Sequence, residues 1–181
     1  MAETLLTPVA IGRGLRRVAG EIAERGGGVA GLALVGIRRG GVPIAERLAG
    51  LLLELEGERP PVGSVDITLY RDDAATALPN PRIGPSHVPF SVNGKRIVLV
   101  DDVISTGRTI RAAVDAVLDY GRPRRIELVV LVDRGGRELP IHPDYVLKTV
   151  PVDARLRVDV IEKDGELWAL TSRVGVSEPP P

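Results

Sequence analysis

The chain has 181 residues, 44% of them apolar and only 3% aromatic, which predicts one domain with a core of Val, Leu, Ile and Ala. Lys and Arg number 24 against 24 Asp and Glu, so any polyanion site must be a local patch, and the absence of Cys excludes disulfides, thiol catalysis and Cys-zinc sites. With His87 and His142 alone, no metal site on the protein is expected; without an apolar run near ~20 residues or a signal-peptide core, neither is a membrane partner, and the cytoplasm is the expected location.

Ile11, Leu15, Val18 and Ile22 recur at spacings of four, three and four and predict a helix, which Arg25-Gly26-Gly27-Gly28 ends. Arg13, Arg16 and Arg17 lie on its other side. Residues 30–36 read as a short buried strand, and Arg38-Arg39-Gly40-Gly41 as a tight turn. A second helix is predicted from near Pro43, with Ile44, Leu48, Leu51, Leu52 and Leu55 inward. After Pro60-Pro61, Val65, Ile67 and Leu69 alternate with Asp66, Thr68 and Tyr70 as in a strand. Residues 71–94 carry no periodicity and are punctuated by Pro79, Pro81, Pro85 and Pro89, the pattern of a functional lid or a disordered insert.

Ile97 to Val100 is a continuous apolar run that Asp101-Asp102 is expected to end. Val103 and Ile104 lead into a turn of Ser105, Thr106 and Gly107, and a helix follows from Arg108-Thr109 to Tyr120-Gly121. Residues 126–132 form another apolar strand; short strands are predicted at 145–150, 158–161 and 167–170, and the tail 177–181 as disordered. Strands alternating with helices predict an α/β fold, a mostly parallel twisted sheet flanked by helices, with a small C-terminal hood; 1–176 would form a single domain. Ligands of such sheets bind beyond the carboxyl ends of the strands, here after Gly36, at Asp101-Asp102 and at Asp133-Arg134. Carboxylates there can accept hydrogen bonds from ribose hydroxyls, and the N–H groups at a helix start can surround a phosphate. The pair suits a ligand with both features, such as phosphoribosyl pyrophosphate (PRPP). It is not a Walker A loop, whose Gly-Lys-Ser/Thr is absent.

Residues 98–109 resemble the PRPP motif of type I phosphoribosyltransferases: apolar strand, Asp/Glu-Asp, two apolar residues, then small-Thr-Gly-x-Thr. Asp66-Ile67-Thr68-Leu69-Tyr70-Arg71-Asp72-Asp73, and the stretch from Leu131 through Asp133-Arg134-Gly135-Gly136-Arg137 to Pro140, further resemble the PyrR family. That family combines uracil phosphoribosyltransferase activity with RNA-dependent control of pyrimidine genes. The likeness runs from about Ile11 to Leu170.

The resemblance implies that uracil and PRPP give UMP and pyrophosphate, with Mg²⁺ bound through PRPP and pyrophosphate oxygens. Arg38, Arg39 and Gly40 would form the pyrophosphate loop, although the family carries Thr-Arg-Gly where this chain has Arg39-Gly40-Gly41. Asp101 and Asp102, Val103 and Ile104, and Ser105, Thr106, Gly107, Arg108 and Thr109 would hold ribose and 5′-phosphate. Arg71 and Arg82 belong to the matching catalytic loop. Ser105 replaces an Asp of some purine-using relatives, which argues against a purine. Uracil or UMP would be read near Val132, Asp133 and Arg134 and by Val158 of the hood.

The resemblance also implies leader-RNA binding that depends on uridine nucleotides (UMP or UTP), with Arg16, Arg17, Arg137 and Lys148 facing RNA on the surface of a dimer or higher homo-oligomer. Arg contacts to phosphate and planar stacking on unpaired bases suit an RNA loop. The family commonly has His at the positions of Gly20 and Gly136 and Arg at that of His142, so RNA preference is expected to differ. Two alternatives stay open: a regulator whose nucleotide site is catalytically idle, and a phosphoribosyltransferase for another base without an RNA role.

Overall fold

A computed structural model of the chain describes residues 3–68, 85–150, 153 and 155–173. The catalytic-loop residues Arg71 and Arg82, and the tail at 177–181, lie outside the described residues. The elements run β1 (Glu3–Leu6), α1 (Pro8–Gly26), β2 (Leu32–Ile37), α2 (Gly41–Glu56), β3 (Val62–Val65), β4 (Arg96–Ile104), α3 (Arg108–Leu118), β5 (Arg125–Asp133), β6 (Tyr145–Thr149), β7 (Leu156–Lys163) and β8 (Glu166–Arg173).

Five of these strands form one sheet in the order β3-β2-β4-β5-β6, every neighbouring pair parallel. Successive side chains of a strand point to opposite faces, so a parallel sheet needs a cover on each. Val98, Val100, Val129 and Leu131 pack with α1 and α2 in one core. The alternate residues Ile97, Leu99, Leu128 and Val130 pack with Ile110, Ala113 and Val117 of α3 in the other. The continuous apolar runs of β4 and β5 follow from this two-sided burial.

The caps are local in origin. Thr7 accepts a hydrogen bond from Ala10 N–H at 3.3 Å at the start of α1, and Gly27 ends it with φ 65°. That left-handed backbone favours glycine. Below the C-terminus of α1, Arg96 donates to the Ile22 carbonyl at 2.8 Å and pairs with the buried Glu127 at 2.7 Å, while the Tyr145 hydroxyl bonds the same carboxylate oxygen at 3.2 Å. A Cβ at Gly26 would lie 2.0 Å from the Arg96 guanidinium, so the close approach requires glycine there.

The hood is a three-stranded antiparallel sheet, β1-β8-β7. Its first strand comes from the N-terminus, a contribution not expected from the sequence. Val158, Leu167 and Ala169 bury one face of the hood into the core shared with α1 and α2, and Arg47 of α2 donates to the Gly165 carbonyl at the β7–β8 turn at 2.6 Å.

Three expectations are corrected. The acid pair does not end β4, because Asp101 and Val103 stay paired with Val130 and Val132 and the strand runs on to Ile104. Leu55 does not face inward; the α2 stripe is Ile44, Leu48 and Leu52, and Leu55 lies three residues beyond, in the last turn, 46% exposed. The strand after Pro60-Pro61 ends at Val65, where Asp66 takes the Thr68 N–H at 2.9 Å and turns the chain.

Candidate active site

At the carboxyl edge of the sheet a cavity of about 480 Å³ is lined by Arg38, Arg39 and Gly40 after β2, Asp66 and Thr68 after β3, Asp101, Asp102 and Val103 of β4, and Thr109 of α3. Parallel strands deliver all these residues to one edge, since each leaves the sheet on the same side.

The β2–α2 turn lies against β4 at backbone distance. A Cβ at Gly41 would fall 1.9 Å from the Val100 carbonyl oxygen, and one at Gly40 would fall 2.2 Å from an Asp102 carboxylate oxygen. Only glycines allow this approach, which accounts for the pair in Arg39-Gly40-Gly41. The Arg38–Arg39 peptide bond is cis. Arg38 donates to Ser64 Oγ at 3.3 Å, whereas Arg39 is exposed and has no partner among the described residues.

The adjacent Asp101 and Asp102 both line the cavity, each carboxylate receiving the N–H of the next residue, at 2.9 and 2.7 Å. Burial above all, and then the charge of Asp102, raises the Asp101 pKa well above the ordinary carboxylate value. Burial also raises Asp102, against the hydrogen bond from Val103 N–H, and the charge of Asp159 on β7 adds to the rise. The pair is therefore poised to gain from donors that a ligand brings, such as vicinal hydroxyls.

Beyond the acids, Ile104 is buried, Ser105 and Thr106 are half-buried, and Gly107 stands at φ 90° before the first turn of α3. The leading N–H groups of any helix lack carbonyl partners within it. Arg108 turns away from the cavity to Glu138 at 2.6 Å. Ser105 Oγ donates to the Gly135 carbonyl at 3.2 Å.

At the end of β5, Val132 is wholly buried in the core and its backbone is paired with Val103 and Lys148. Asp133 is gripped by Arg137 at 2.6 Å; burial would raise its pKa, but the hydrogen bonds from Arg137 and Gly135 outweigh it and hold it below the ordinary value. Arg134 donates to the Leu156 carbonyl at 2.7 Å and, with Val158, lines a second cavity of about 210 Å³ between β5 and the hood.

Arg16, Arg17 and Lys148 are exposed. Arg17 donates to the Val146 carbonyl of β6 at 2.9 Å and pairs with Glu21, and Gly14 sits against Leu147, so Arg17 and Lys148 share the α1–β6 side. Arg16 reaches Glu54 on α2 at 3.3 Å. Arg137 is apart from them, spent on bonds within the chain.

Sequence reasoning missed Gly41 and assigned no role to Asp66, Thr68 or Asp159. The Gly-Gly pair after a buried strand was the available signal for the first. The others depend on which strands meet at the edge, which no local pattern carries.

Over residues 1–162 the chain matches the phosphoribosyl transferase domain family. It is 59% identical over 158 residues to the bifunctional protein PyrR of Pelotomaculum thermopropionicum, covering 86% of this chain and 87% of that one. It is 53% identical over 157 residues to the protein of the same name from Geobacter sulfurreducens, with 87% and 89% covered. Among solved structures, hypoxanthine phosphoribosyltransferase of Trypanosoma cruzi in complex with the product IMP superposes with TM-score 0.67 at 22% identity, over 84% of this chain and 82% of that one. The enzyme of the same name from Staphylococcus aureus gives TM-score 0.67 at 20% identity, with 85% and 79% covered. These structural likenesses bear on the fold.

Proposed function

The chain belongs to the PyrR family of phosphoribosyltransferases, and from that premise we propose that it transfers phosphoribose from PRPP to uracil and also regulates pyrimidine genes through leader RNA. The observation that carries the transferase reading is the acid pair lining the cavity a short turn ahead of α3, whose Thr109 lines the same cavity. Asp101 and Asp102 would accept the ribose hydroxyls, and the turn with the start of α3 would take the 5′-phosphate. Arg39, free among the described residues, and the backbone of Gly40 are the groups to meet pyrophosphate. Residues 1–176 would form this unit.

The transferred carbon becomes electron-poor as pyrophosphate leaves, so the protein's task is to hold the sugar and the leaving group and to exclude water, with no protein nucleophile. Phosphoribosyltransferases use Mg²⁺ with PRPP, where the ion neutralises charge on the leaving group. Among the described residues no cluster of three or more acids or histidines is set to hold an ion. Asp101 and Asp102 would be the residues to help hold such an ion together with the donor's own oxygens.

Uracil would enter the second cavity, beside Arg134, Leu156 and Val158. Ser105, neutral and bonded to Gly135, supplies no acid for a purine ring nitrogen. Leader RNA would meet Arg16, Arg17 and Lys148 on the α1–β6 side and Arg137 beyond the end of β5, with UMP or UTP in the nucleotide site and a second copy of the chain completing the surface. No helix among the described residues is long and apolar enough to cross a membrane.

A panel of bases with radiolabelled PRPP tests the enzyme. The expected result is labelled UMP from uracil and no nucleotide from hypoxanthine or orotate. Product from hypoxanthine, or none from uracil, would sink the assignment.

A further inference from the structure

The guanidinium of Arg137 joins three separate segments. Its Nη1 and Nη2 grip both oxygens of Asp133 at the end of β5, at 2.9 and 2.6 Å. The same Nη1 donates to the Ser105 carbonyl at 2.9 Å, and Nε donates to the Ile141 carbonyl at 2.7 Å. Arg137 is 14% exposed at its side chain and Asp133 16%, so water competes little for these bonds. A planar fork is required, because an ammonium on a flexible stem cannot meet a bidentate carboxylate and two carbonyls together.

The consequence lies in the peptide planes of the turn. In a trans peptide the C=O and the following N–H point in opposite directions. Fixing the Ser105 carbonyl toward Arg137 therefore aims the Thr106 N–H away from the 134–141 loop. The next plane is fixed likewise, since the Thr106 carbonyl accepts from Glu138 N–H at 2.9 Å and Leu139 N–H at 3.2 Å, which aims the Gly107 N–H away as well. Two consecutive donors are thus presented together before any ligand arrives.

We propose that Arg137 is a positioning residue for phosphate binding: it acts through the turn, holding the Ser105 carbonyl from its anchor on Asp133 so that the Thr106 N–H is pre-oriented beside the Gly107 N–H that the bonds of Glu138 and Leu139 fix. This rests on the reading of the 105–109 turn as the 5′-phosphate cradle. It gives Arg137 a task inside the chain beside the RNA contact implied by family resemblance. Asp133 becomes the anchor of Arg137, so its substitution should act on the same turn.

The test compares affinity for UMP and for uridine, which differ only in the phosphate, in wild type, Arg137→Gln and Arg137→Lys. A general loss of fold would weaken both ligands alike; loss of pre-orientation weakens UMP alone. The expected result is that wild type favours UMP, that both variants lose UMP affinity on the order of tenfold, and that uridine affinity is unchanged. PRPP should show a raised KM in both variants with kcat changed much less. If Arg137→Gln does not fold, Arg137→Lys alone decides. Variants that discriminate UMP from uridine as wild type does would overturn the role of Arg137. A wild type that binds UMP and uridine equally would overturn the phosphate cradle itself, and the proposal with it.

Discussion

The Asp101 carboxyl is held under the cavity edge with one backbone N–H from Asp102 as compensation, and its pKa is raised by burial first and by the neighbouring charge second. A folded-state pKa above the unfolded value means that the folded chain holds its proton more tightly. Its contribution to stability is complete below the unfolded value and is lost as pH rises through the folded one. At neutral pH the acid pair therefore costs stability, which hydrogen-bond donors of a bound sugar would offset. Asp101→Asn should be more stable than wild type by about 1 kcal/mol at pH 7, with a flatter dependence on pH, and lose transferase activity on the order of 10²-fold. Denaturant titration and initial rates check both halves. Asp133 runs the other way: Arg137 and Gly135 overcome the effect of burial and lower its pKa. Its contribution is complete above the unfolded value and is lost as pH falls through the lower folded one. In Asp133→Asn the acid limb of the stability–pH curve should be shallower, measured by thermal melts from pH 7 down to pH 3.

Elements carry the next set of consequences. The β2–α2 turn can press on β4 only because Gly41 has no side chain, its Cβ position being 1.9 Å from the Val100 carbonyl. Gly41→Ala must push the turn off the strand, which should cost roughly 1–3 kcal/mol and raise the KM for PRPP. The opposite end of the sheet behaves independently. Arg96→Met leaves Glu127, one of the few buried charges, with Arg125 as its remaining cation, at 2.9 Å. A loss of about 3–5 kcal/mol in unfolding free energy is expected, with the KM for PRPP unchanged in the folded fraction. These elements differ in how far they could be read in advance. The stripe Ile11, Leu15, Val18, Ile22 and the runs of β4 and β5 were legible because period and burial coincide there. The extension of β4 through Asp101-Asp102 was not, because acids at a strand end and acids inside a strand look the same until the partner strand is known. Strand β1 was missed because Glu3–Leu6 has no pattern of its own and is held by β8. The same holds for the site: Asp101-Asp102 and the 105–109 turn are contiguous and visible, whereas the bonds of Arg137 to Asp133 and Ser105 appear only once β4 and β5 lie side by side.

For the whole molecule, the proposed function would have one nucleotide site serve two outputs. The α1–β6 side carrying Arg17 and Lys148 lies on the sheet edge formed by β6, and β6 is paired to β5, whose carboxyl end holds Asp133 beside the 105–109 turn. RNA bound by such an exposed basic surface would be held through phosphate contacts, so its affinity should fall as salt rises. Uridine nucleotide in the site defined by Asp101 and the turn should govern that binding. Filter binding of pyrimidine-operon leader RNA, with and without UMP, in wild type and in Asp101→Asn, tests it most directly. Salt-sensitive retention that UMP strengthens in wild type, and strengthens much less in Asp101→Asn, is expected. Retention indifferent to UMP, or equal to that of an unrelated hairpin, would contradict it.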